Sequence, residues 1–204
     1  MQNLFAMRKS LFLFAALGVA SSLHAQDSGI ETQAMGIQIN AHALVDVVSD
    51  DIVFDFTADG PTEAGDGLVL GSNRNKTTFL NYSLMQSHSG ADDGTISVKI
   101  AGLQPGLTMS LLIDNAAVGG LSAAQYGVLG QVTPPFDATN PVNAPVALTA
   151  TDQVIIDNIG SSYTGEGAGS GYEMRYSLAI TNYALLDADN GNQDLGTITY
   201  TIAE

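Results

Sequence analysis

Residues Tyr172–Ile180 read "YEMRYSLAI", and their alternation decides the fold. Tyr172, Met174, Tyr176, Leu178 and Ile180 fall on one side of an extended chain, while Glu173, Arg175, Ser177 and Ala179 fall on the other. A helix would scatter both sets around its axis, because helical neighbours recur at three and four residues; a strand separates them. Working outward, the same period runs through Met35, Ile37, Ile39, Ala41, Ala43, Val45 and Val47. It recurs in Ile52, Phe54 and Phe56, in Ile96, Val98 and Ile100, and in Leu107, Met109, Leu111 and Ile113. Residues 68–71, 77–85, 126–133, 146–150, 153–157 and 197–202 add further candidates. Between the runs stand "ADGPTEAGDG", "SGADDG", "LQPG", "TPPFDATNP", "GEGAGSG" and "DADNGNQD". Their glycines supply positive φ, their prolines preset φ, and their Asp and Asn side chains bond the local backbone, so each cluster reverses the chain. Only residues 121–125 suggest a turn of helix. The pattern predicts an all-β chain, an antiparallel β-sandwich of about 8–10 strands, with a closed β-barrel as the alternative. Phe54, Leu111, Ile156 and Leu178, each on the apolar side of its run, are expected in the core.

The first residues obey a different logic. In "MRKSLFLFAALGVASSLHAQ", Arg8 and Lys9 precede an apolar stretch from Leu11 to Ala20, and small residues lead to Ala25. This is the layout of a secretory signal, so residues 1–25 are expected to be cleaved and 26–204 to form a single β-sandwich domain. The apolar stretch falls short of the ~20 residues that span a bilayer, so no membrane insertion is expected. A chain of this size buries about 70% of its unfolded surface and needs no staple. It has none to use: there is no cysteine, although export leads to an oxidising compartment.

Charge bounds the partners. The 204 residues hold 21 acidic and 6 basic side chains, and loss of Arg8 and Lys9 leaves Arg74, Lys76, Lys99 and Arg175 as the basic set. Such a surface repels nucleic acid and anionic lipid, which need clustered Lys and Arg. The 45% hydrophobic content separates the chain from acidic disordered sequences.

Catalytic signatures are weak. Beyond the signal, the histidines are His42, in a strand, and His88, in a turn; there is no cysteine nucleophile and no Gly-x-Ser-x-Gly elbow. "GEGAGSG" leads into a strand rather than a helix, which removes the phosphate-cradle reading and leaves a mobile loop. The chain is therefore expected not to be an enzyme and to need no cofactor, with calcium as the one candidate ion. "LLDADNGNQDLGTITYTI" puts Asp187 and Asp189 at the first and third positions of an EF-hand loop, but Gly191 falls one place early and Ile198 stands where the bidentate Glu belongs. An irregular calcium turn from Asp187, Asp189, Asn190 and Asp194 stays open beside a plain hairpin turn. For a glycan platform, which uses exposed aromatic faces, the chain offers no tryptophan but has Tyr82, Tyr126, Tyr163 and Tyr183.

The alternation from Met35 to Val47 is long beside a usual strand of ~5–6 residues. Half of it can complete a neighbour's sheet, with Met35, Ile37 and Ile39 filling pockets on that neighbour; the other reading is one long strand bent across its own core. The strands "INAHALVDVV", "TFLNYSL", "ISVKIAGLQPGLTMSLLI" and "YSLAITNYALL", with a terminal "GTITYTI" behind a signal peptide, resemble small exported bacterial β-sandwich proteins. These are the spore coat U and chaperone–usher pilin-like group and the WxL-type surface domains. The resemblance implies an Ig-like or pilin-like sandwich at the cell surface or in the extracellular space, reached through the periplasm if the cell is Gram-negative. The expected function is a noncatalytic, fimbrial-like structural subunit that self-assembles by strand addition and serves adhesion. The alternative is a secreted module that binds a glycan or another surface ligand, with calcium as a candidate aid.

Overall fold

The structure, a computed structural model, describes residues 33–48, 52–56, 60–71, 74–87, 92–116, 122–140, 144–186 and 196–204. The backbone divides into Met1–Gln38, of which 33–38 are described, and Ile39–Glu204, which holds every described strand and the core. In chain order the strands are β1 (His42–Val47), β2 (Asn75–Met85), β3 (Gly94–Ala101), β4 (Leu107–Ile113), β5 (Gly127–Val132), β6 (Val146–Ala147), β7 (Gln153–Tyr163), β8 (Tyr172–Ile180) and β9 (Thr197–Ala203). A single helical turn, α1 (Ala123–Tyr126), leads into β5, and a 3₁₀ turn, Tyr183–Leu185, follows β8. No described helix is long and apolar enough to cross a membrane.

All nine described strands join one antiparallel sheet in the order β6-β4-β8-β2-β7-β3-β9, with β1 added to β2 and β5 to β7. The sheet is not closed, so the barrel alternative is set aside. Alternation does the work expected of it. Leu80, Tyr82 and Leu84 of β2, Ile96, Val98 and Ile100 of β3, Met109, Leu111 and Ile113 of β4, and Tyr172, Met174, Tyr176 and Leu178 of β8 are all buried. Side chains of opposite parity face outward, and there Arg175 pairs with Asp114 and Glu173, and Lys99 with Asp152.

β7 is longer than its sequence pattern, which ended at Asp157. Ile155 and Ile156 are both fully buried, against a simple period of two. The register against β3 shifts between Gly94 and Ile96 and again between Ile96 and Ser97, and Asn158 sits at φ +55°. A bulge inserts an unpaired residue and flips the parity beyond it, so one strand reads as two fragments.

Three expectations need correction. The N-terminal alternation forms a ladder only over β1, because His42 already pairs with Met85, the last residue of β2; Met35, Ile37 and Ile39 lie outside any strand and are exposed. Ile52–Phe56 keeps an alternating burial but no ladder, so Phe54 is half-buried, packed on the edge of the core and stacked with Phe56 at a centroid distance of 6.3 Å. Residues 68–71 also lack ladder pairing. Leu111, Ile156 and Leu178 are buried as expected. Truncating any of these three to Ala should lower stability by ~2–5 kcal/mol in urea unfolding, and Phe54→Ala by distinctly less.

Four tyrosines tie strands together through polar tips inside an apolar core. Tyr82 and Tyr172 stack at 6.3 Å and 18°, and both hydroxyls donate to the Leu129 carbonyl, at 2.6 and 2.5 Å. The Tyr176 and Tyr200 hydroxyls bond each other, although β8 and β9 are separated by three strands in the sheet order. Burial pushes the Tyr82 phenol up to about 12 and raises those of Tyr172, Tyr176 and Tyr200 as well. The fold therefore favours the protonated phenols, and their contribution is complete below an ordinary tyrosine pKa of ~10 and lost as pH rises to about 12 and beyond. Stability should fall with pH above ~10. In a rapid pH-jump, the phenolate absorbance of these four tyrosines should appear together with unfolding rather than before it.

Candidate ligand groove

β2 has partners on both edges at its C-terminal half. Ser83 pairs with Leu44 of β1 on one side and with Tyr163, the last residue of β7, on the other. Because directly paired residues share a face, Leu44, Ser83 and Tyr163 form a row across three strands on the side away from the core. The next row begins with Asp46, paired with Asn81. β8 starts along the edge of β2 where β7 stops: Tyr172 pairs with Leu80. The two strands thus run in line, and residues 164–171 leave the sheet between them.

That excursion is anchored at both ends. The Thr164 N–H donates to the Tyr82 carbonyl at 3.1 Å, and the Tyr82 N–H donates to Thr164 Oγ1 at 2.9 Å. Asn81 Nδ2 reaches the Gly167 carbonyl at 3.3 Å. The glycine-rich stretch expected to be a mobile loop is thus fastened to β2 by Thr164, itself 1% exposed, and by Asn81. The row of side chains and the loop bound an open groove of about 500 Å³, lined by Leu44, Val45, Asp46, Asn81, Tyr82, Ser83, Tyr163, Gly165 and Glu166. Asn81 is 5% exposed, and its Oδ1 has no hydrogen-bond partner among the described residues.

No family model, curated protein or solved structure matches this chain.

At the rim of the groove, His42 Nε2 lies 3.1 Å from Ser83 Oγ, a pairing the sequence did not announce because the residues are 41 positions apart. His42 Nδ1 faces the Asn40 carbonyl at 3.4 Å rather than a carboxylate. Ser83 sits mid-strand with ladder partners on both edges. A nucleophilic serine needs nearby N–H groups pointing at the developing oxyanion; here the neighbouring backbone is engaged in sheet pairing.

The other expected site residues fall as follows. Asp187, Asp189, Asn190 and Asp194, and with them the calcium turn, lie outside the described residues, as does His88. No group of three or more His, Cys, Asp or Glu gathers among the described residues. Of the tyrosines offered for a glycan platform, Tyr82 is in the core, whereas Tyr163 and Tyr183 are exposed. Tyr183 is turned to a different place, its hydroxyl accepting from the Leu68 N–H at 3.4 Å. Nothing in the sequence pattern marks Asn81; burial at a strand centre, on the face opposite to its apolar neighbours, is the signal that singles it out.

The closing of the groove rests on Gly171, where φ is +76° and an added Cβ would strike the Leu80 carbonyl and Asn81 Oδ1. Gly169 has a similar φ, +86°, with nothing near its Cβ position. Gly169→Ala should cost about 1–2 kcal/mol from backbone strain alone. Gly171→Ala should cost more, and thermal unfolding of the two variants side by side measures the steric part.

Proposed function

We propose that the chain is an exported, noncatalytic structural subunit that assembles by strand addition at a cell surface or into a filament. The observation that carries this reading is the exposure of Met35, Ile37 and Ile39, at 83%, 75% and 70%, on the segment just before an edge strand. They continue the odd-numbered series that ends in Val45 and Val47, which do pack on the core. Three large exposed apolar side chains at alternate positions are suited to a neighbouring copy, where main-chain hydrogen bonds add a strand and the side chains fill pockets. Among the described residues β9 pairs only with β3 and β1 only with β2, so each offers such a strand one edge. The positive, apolar and small-residue succession of residues 8–25 supports export, and the resemblance to pilin-like exported proteins points the same way.

In this reading the sheet is a two-layered sandwich. β7 serves both layers: on one edge its last residues pair with β2 and its earlier ones with β3, while β5 runs along the other edge from Ser162 to Ile156. The bulged stretch around Asn158 is then the corner, and the Tyr176–Tyr200 contact spans the layers.

Replacing Ile37 and Ile39 by Asp tests the assembly. The variant should remain folded, with stability within about 0.5 kcal/mol of the parent, as befits exposed positions, and should run as a monomer where the parent forms a concentration-dependent ladder in size exclusion. Unfolding of the variant would make the segment a core strand, and an undiminished ladder would place assembly elsewhere.

A further inference from the structure

We infer that the groove over β1, β2 and the end of β7 is a binding site for a neutral pyranoside, a function separate from assembly. Its floor offers one flat apolar ledge: the Tyr163 ring, 41% exposed, and Leu44, 64% exposed, on either side of Ser83. The hydrophobic face of a sugar ring is covered by such a ledge, because a tyrosine presents an apolar body beside a polar tip. Around the ledge stand polar acceptors, the carboxylates of Asp46 and Glu166. A ring of hydroxyl donors satisfies acceptors of this kind. The volume, about 500 Å³, lies in the range of small-molecule sites.

The charge of the site narrows the ligand. No Lys or Arg lines the groove, and two carboxylates do, so uronic and other acidic sugars are repelled. An ammonium ligand is disfavoured by the aromatic content. Cages for such cations surround them with several ring faces, whereas Tyr163 is the one exposed ring here and Tyr82, at 4% exposure, belongs to the core. The groove is also open and crosses three strands, which suits a ring or a short glycan chain laid flat.

The test uses the full chain and a panel of neutral methyl pyranosides and their disaccharides, with glucuronate and choline as charged controls, in saturation-transfer NMR at millimolar ligand. Binding of at least one neutral sugar is expected, with transfer strongest to its ring C–H protons and with neither control competing. Tyr163→Ala should weaken that binding at least tenfold and Tyr163→Phe should retain it; Asp46→Asn and Glu166→Gln should each weaken it severalfold. All three positions are exposed, and circular dichroism confirms the fold of each variant. Silence across the panel, tighter binding of choline or glucuronate, or sugar binding indifferent to Tyr163→Ala would overturn the inference. The monomeric Ile37→Asp, Ile39→Asp variant should bind the same sugar as the parent, so the outcome does not depend on whether the chain assembles.

Discussion

The fold depends on β2 being paired along its whole length, and on both edges over its C-terminal half. Over Asn75–Leu80 it pairs with β8, and over Leu80–Met85 it pairs with β1 on one edge and touches the end of β7 on the other. A buried backbone N–H or carbonyl left unpaired is costly, so a strand this deep in the sheet must find partners along its length. Three different segments supply them. The requirement also fixes which side chains leave the core. Once Leu80, Tyr82 and Leu84 are committed to the core, Asn81 and Ser83 must face the other way, and a slip of one residue would exchange the two sets.

Apolar burial and polar tips cooperate within the enclosed space. The leucines and isoleucines supply area without direction, whereas Tyr82, Tyr172 and Tyr176, buried, and Tyr200, partly buried, supply area and a hydroxyl that must find a partner. Leu129 answers two of them with one carbonyl, and Tyr176 and Tyr200 answer each other. Direction of this kind distinguishes one packing from its near neighbours more sharply than hydrocarbon contact alone, since a displaced hydroxyl is left unpaired in a low-dielectric setting.

Much of this was legible in the residues. Every run with clean alternation between Thr77 and Ile202 corresponds to a strand, and the turn clusters separate them, because period and turn chemistry are local properties that tertiary contacts reinforced here. What was not legible was non-local. Met35–Ala41 has the right period, but a strand exists only where a partner is within hydrogen-bonding reach, and β2 ends at Met85. Phe54 alternates correctly on a segment that packs without pairing. β7 hid its length behind a bulge, which inverts parity in mid-strand. The groove was the least visible feature: Tyr163 was singled out as an aromatic, but Asp46, Asn81 and Ser83 acquire meaning only from the registers that lay three strands side by side.

The in-line arrangement of β7 and β8 has a consequence for how this protein can diversify. The loop 164–171 leaves the sheet opposite Ser83 and returns opposite Leu80, three positions along one strand and therefore roughly 10 Å apart. Its two ends are held by the ladder whatever lies between them. Lengthening such a segment adds little strain, since closure entropy grows only as the logarithm of length, about 0.6 kcal/mol for each doubling. One wall of the groove is thus free to vary in size and chemistry while the floor stays bound to the sheet. A lineage carrying this framework, or a laboratory grafting peptides onto it, has a place to write new recognition without rewriting the fold.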